Sequence, residues 1–87
     1  MFIYSIFDKK AMYHRTQFFM RSDAEAVRQL HLAANDSRSD ITMFPDDFAL
    51  YCLGEFNIDT GVISPFTPVK FVCEAASLVK IDKTSEP

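Results

Sequence analysis

A chain of 87 residues is one domain's worth; at this size only about 60% of the unfolded surface is buried on folding, so stability is marginal and a second core is excluded. Hydrophobic residues make up 48% and aromatic residues 14%, with nine Phe, three Tyr and no Trp, which excludes an intrinsically disordered chain. Nine basic against twelve acidic side chains give a net charge of −3, which excludes coating of nucleic acid by bulk electrostatics and leaves only a localised patch.

The first element is Phe2 to Phe7, almost continuously apolar and rich in aromatic and β-branched residues, with Phe2, Tyr4 and Ile6 on one face and Ile3, Ser5 and Phe7 on the other. Asp8-Lys9-Lys10 reads as a turn, and Tyr13 to Met20 returns as a second strand, antiparallel because the connection is too short for a crossover. Ser22-Asp23-Ala24-Glu25 is a capping box that starts a helix of about three turns. Val27, Leu30, His31 and Ala34 mark its apolar stripe, and it is expected to stop near Asn35-Asp36-Ser37.

A polar connection follows from Asn35 to Asp47, in which Ile41 and Met43-Phe44 are expected to tuck against the core. Phe48 to Phe56 reads as a long strand with a bulge or bend at Gly54. Asn57-Ile58-Asp59-Thr60-Gly61 supplies hairpin chemistry, with Gly61 suited to a positive φ. Val62 to Ser64 opens the return strand, Pro65 ends it or marks an edge, and Val69 to Val72 is a further short extended piece. Glu74 to Lys80 is helix-compatible, and the last six residues are expected to lack order.

The fold class that results is α+β: an antiparallel sheet of about four strands with one helix packed on one face, order β-β-α-β-β. Residues 1–72 form a single domain and 73–87 a C-terminal segment. One helix covers one side of a sheet, yet the first strand and the Phe48 to Leu53 strand are apolar on both sides. The second face needs cover, and a homodimer or higher homo-oligomer is the expected source.

Chemistry is sparse. Cys52 and Cys73 lack Cys-x-x-Cys or His spacing, so both read as reduced, mainly packing thiols and not as metal ligands. His31 lies on the apolar side of the helix and reads as a packing residue, while His14 near the first turn is expected to be exposed. Asp40, Asp46 and Asp47 are the only acidic concentration in a loop; with no EF-hand spacing and no Gly-rich phosphate loop beside them, they read as solvated. No catalytic residue, metal site or cofactor is expected, and the chain is read as non-enzymatic. No apolar run reaches the roughly 18 residues of a membrane span, and the N-terminus has no basic n-region, so a soluble, unprocessed, intracellular protein is expected.

Charge is unevenly distributed. Residues 1–38 hold six basic and four acidic side chains, a balance of +2, whereas residues 39–87 hold three and eight, a balance of −5. The candidate nucleic-acid-binding residues are therefore Lys9, Lys10, Arg15, Arg21 and Arg28, with Tyr4, Tyr13 and Phe18 as candidate stacking faces.

Phe44-Pro45-Asp46-Asp47-Phe48-Ala49-Leu50-Tyr51-Cys52-Leu53-Gly54-Glu55-Phe56, with Asp59-Thr60-Gly61, carries the pattern Asp-Phe-x-Leu-Tyr-x-Leu-Gly-x-Phe-x-x-x-Thr-Gly. Together with Asp8-Lys9-Lys10-Ala11 and the Phe18-Phe19 run into the capping box, it resembles the small nonstructural protein of gokushovirus-type microviruses, which are single-stranded DNA phages. The resemblance covers roughly residues 2–72. It implies a non-capsid accessory protein, in the host bacterial cytoplasm and outside the capsid shell, that diverts replication toward single-stranded synthesis and packaging. It brings no catalytic constellation. The acidic net charge departs from a DNA-condensing protein. The expected partners are single-stranded DNA, reached through the basic patch, or viral or host replication proteins; the alternative is a non-enzymatic oligomeric adaptor without nucleic-acid contact.

Overall fold

The computed structural model describes residues 1–79; the expected disorder of the last six residues lies outside them. Four strands form, β1 (Phe2–Asp8), β2 (Tyr13–Met20), β3 (Phe48–Phe56) and β4 (Ile63–Glu74), with helix α1 (Asp23–Ala34) between β2 and β3. The sheet order is β2-β1-β3-β4 with every neighbouring pair antiparallel. This is the α+β fold with order β-β-α-β-β that the patterning dictates.

Local chemistry sets each corner. The Asp8 carboxylate accepts from the N–H groups of Lys10 and Ala11, both at 3.0 Å, and Met12 closes the first turn at a φ of 62°. Ser22 caps α1 by accepting from the Glu25 N–H. The Glu25 carboxylate reaches back to the N–H of Arg21 at 3.1 Å, one residue earlier than the usual capping-box donor. At the β3–β4 hairpin, the Asn57 side chain accepts from the N–H groups of Asp59 and Thr60, and Gly61 takes a φ of 78°.

α1 lies on the face built by Tyr4 and Ile6 of β1, Phe18 and Met20 of β2, and Phe48, Leu50 and Cys52 of β3. Ala26, Leu30 and Ala34 are its buried positions; small residues bring the helix close to the sheet, and His31 is half-buried at the margin. The connection after α1 forms a single turn, α2 (Asp40–Met43), capped by Ser39, and a 3₁₀ turn at Pro45–Asp47. Ile41 is buried as expected, but Met43 and Phe44 stand outward at 68% and 54% exposure. Thr42 accounts for the difference: its hydroxyl donates to the Asp36 carbonyl at 2.6 Å, with the Ala33 carbonyl 3.0 Å away, and so ties the turn to the end of α1 with Ile41 facing inward.

Two further expectations are corrected. β4 runs unbroken through Pro65 and Pro68 instead of stopping and restarting. β4 is an edge strand, where a missing N–H on the outer side breaks no ladder bond, and register shifts opposite Leu50–Tyr51 and Cys52–Gly54 absorb the irregularity. After Glu74 the chain makes a 3₁₀ turn, Ala75–Leu78, and not an α-helix. Ala75 is buried in the core and the Asn35 amide donates to the Leu78 carbonyl at 3.0 Å, which holds the segment against α1.

Candidate nucleic-acid interface

The sheet has a second face, and among the described residues no helix packs on it. Alternation puts Ile3, Ser5 and Phe7 of β1 there, and the register places Phe19 and Gln17 of β2 and Ala49 and Tyr51 of β3 beside them. A shift of register between Ile6 and Phe7 sets His14 opposite Phe7. Arg15 is the extra residue of that bulge and turns to the helix side, its guanidinium 5.0 Å from the centre of the Phe48 ring.

The rings on this open face form a connected row. His14 lies 4.7 Å from Phe7 and 5.6 Å from Tyr51, and Tyr51 lies 5.9 Å from Phe7 and 5.8 Å from Phe71, between centroids. Phe19 and Phe56 make a second pair at 5.5 Å. The Ser5 hydroxyl, fully buried below the row, is hydrogen-bonded to Nδ1 of His14 and fixes that ring. Phe71 of the row is 54% exposed while Phe7, His14 and Tyr51 are half-buried, and Phe19 of the second pair is 50% exposed. Gly54 permits the tight pairing at the Phe56 end, since a Cβ there would lie 2.6 Å from the Ser64 carbonyl oxygen.

The five basic residues singled out from the sequence do not form one uninterrupted patch. Lys9, Lys10 and Arg15 belong to the β1–β2 turn end, whereas Arg21 lies at the other end of β2 and Arg28 on the exposed side of α1. Lys9 pairs with Glu74 at 2.8 Å, Arg21 with Glu25 at 3.0 Å, and Arg15 grips Asp40 through two nitrogens at 2.7 and 3.0 Å. That guanidinium holds the Asp40 carboxyl below the usual carboxylate range. Among the described residues, neither Lys10 nor Arg28 forms a salt bridge.

Of the expected stacking residues, Tyr4 and Phe18 belong to the core. Tyr4 is fully buried, its ring stacked on Phe18 at 5.8 Å and its hydroxyl donating to Asp23 at 2.6 Å; burial and then that carboxylate push its phenol far above the ordinary range. Tyr13 alone is exposed. The sequence reading missed Phe7, His14, Tyr51 and Phe71, although the two-sided apolarity of β1 and β3 was the signal for the first and third.

Cys52 and Cys73 are free, and burial pushes both thiols up, away from the thiolate. The Ser5–His14 pair lacks an accessible hydroxyl, and among the described residues no three His, Cys, Asp or Glu side chains are placed to hold a metal ion. No helix among them is long and apolar enough to cross a membrane.

A family model described as "Phage ORF5 protein" matches residues 1–78. The chain belongs to the phage ORF5 protein family. The match spans every strand and the open face they build, so that face is part of a phage protein's fold. No curated protein and no solved structure matches the chain.

Proposed function

We propose that this phage ORF5 family member is a non-enzymatic accessory factor of viral DNA replication and packaging, acting in the host bacterial cytoplasm, that holds single-stranded DNA across the open face of its sheet. The observation that carries the proposal is the connected row of the half-buried Phe7, His14 and Tyr51 and the exposed Phe71 on the uncovered face of a four-stranded antiparallel sheet backed by a helix. Aromatic side chains on such faces stack on unpaired bases, each worth about 1–3 kcal/mol. A duplex hides its base faces, so the same row discriminates against it. The resemblance to microvirus nonstructural proteins supplies the single-stranded ligand.

Stacking carries the affinity in this proposal, because among the described residues Lys9, Arg15, Arg21 and Arg38 are already paired with carboxylates. With Lys10, exposed in the β1–β2 turn, as the phosphate contact, the slope of log K against log salt is about −0.7, the contribution of one contact to a single strand. Fluorescence anisotropy with a labelled single-stranded oligonucleotide tests this. Binding is expected at low salt with that shallow slope, and Phe71→Ala is expected to weaken it about tenfold, the loss of one stack of about 1.4 kcal/mol. No binding at low salt refutes direct contact. A slope of −3 or steeper returns the role to the basic residues, with their salt bridges opened by phosphates.

The second reading is a protein–protein adaptor. It is favoured by one observation: Arg15 and Arg21 are held by carboxylates, and the open face carries the neutral Lys9–Glu74 pair at its end, a charge-poor aromatic surface of the kind found at interface centres. Under it, Phe71→Ala leaves oligonucleotide signals flat and abolishes co-purification with a replication protein.

A further inference from the structure

The two edges of the sheet are built differently. β4 exposes an edge interrupted by Pro65 and Pro68, which lack donors and resist a further strand. β2 has no proline, and among the described residues Tyr13–Met20 make no backbone hydrogen bonds beyond the ladder to β1 apart from the one that the Gln17 side chain donates to the His14 carbonyl. The stretch Thr16–Met20, past the bulge at Arg15, is therefore an unprotected edge in a chain that protects its other one.

Beside that edge runs an open groove of about 250 Å³ between β2 and α1, lined by Ile6, Thr16, Phe18, Met20, Gln29 and Ala33. Leu32, one turn along from Gln29, stands at 63% exposure. An apolar groove under a free edge is shaped for an incoming strand whose alternate side chains are apolar.

We propose that the occupant is a second copy of this chain, paired β2 to β2 in antiparallel fashion about a two-fold axis, giving one eight-stranded sheet. Three observations select the copy over a foreign strand. Thr16, Phe18 and Met20 line the groove side of β2, with Phe18 and Met20 packed on the core, so a two-fold copy continues this lining across the seam from one groove to the other. The two-fold operation also runs each α1 antiparallel to its copy and brings each Leu32 toward the partner's groove. Charge is compatible, because the operation sets the Arg15 end of one strand beside the Arg21 end of the other, and each arginine already has its own carboxylate. The open aromatic faces then lie side by side on one surface. The dimer does not depend on what that surface binds.

Light scattering on the full chain reads the mass across a wide concentration range. The expected mass is twice the 10.0 kDa of one chain, and Leu32→Glu and Gln17→Lys, both at exposed positions, are each expected to return it to a single chain with the circular dichroism and melting transition of a folded protein. A single-chain mass for the wild type at every concentration overturns the proposal. So does a dimer that persists in both variants but dissociates with Phe71→Glu, which places the contact on the open face, or with Ile63→Glu, which places it at the β3–β4 hairpin.

Discussion

Tyr4 does more at the residue scale than any other side chain, because it joins the two layers. Its ring fills the centre of the helix-side core, and its hydroxyl reaches the first turn of α1 at Asp23. An O–H donated to a carboxylate contributes about 1.5–3 kcal/mol, and Asp23 is exposed enough to regain water when the donor goes. Tyr4→Phe keeps the ring and is expected to cost about 1–2 kcal/mol, read as a lower urea midpoint with an unchanged slope. A midpoint equal to the wild type would show that the hydroxyl contributes nothing net. The same residue shows why stacking candidates were misassigned from sequence. An aromatic on a strand faces core or solvent according to alternation, and Tyr4 and Phe7 fall on opposite sides of β1.

Among the elements, α2 and the bulge in β2 are tied by Arg15 and Asp40. The Asp40 carboxyl titrates below its unfolded value, chiefly through its hydrogen bonds with Arg15. Between the two values the unfolded chain binds the proton and the folded one does not, so stability rises with pH there. This contribution is present above the ordinary Asp range of about 4 and is lost as pH falls through the lowered value. Asp40→Asn is expected to flatten the acid limb of stability against pH, measured by urea unfolding at several pH values. An acid limb identical in the wild type and the variant would remove the pair from the energetics. Neither the bulge nor this pair was legible beforehand. A bulge is a property of two strands in register, and residues 25 positions apart in sequence meet only once that register exists.

Over the whole molecule, legibility follows the range of the forces. The first three strands, the helix start at Ser22 and the hairpin at Gly61 rest on alternation, capping and φ preference, which act over a few residues, and each appears where the pattern puts it. β4 was split at its prolines because edge position, which makes proline tolerable, is set by the order of the whole sheet. The excess apolar surface was visible as two-sided strands, and its location on one open face came with the topology. The basic residues were visible too, but their carboxylate partners were not, and so a cationic patch was expected where paired charges now stand.

The central claim is that the open aromatic face, and not the basic residues, meets single-stranded DNA. Amide and aromatic chemical shifts of the labelled protein, followed while a short single-stranded oligonucleotide is added, locate the contact directly. The expected changes concentrate on Phe7, His14, Tyr51 and Phe71, with the α1 side quiet. Changes confined to Lys9, Lys10, Arg15 and Arg21, or a spectrum that does not move, would contradict it.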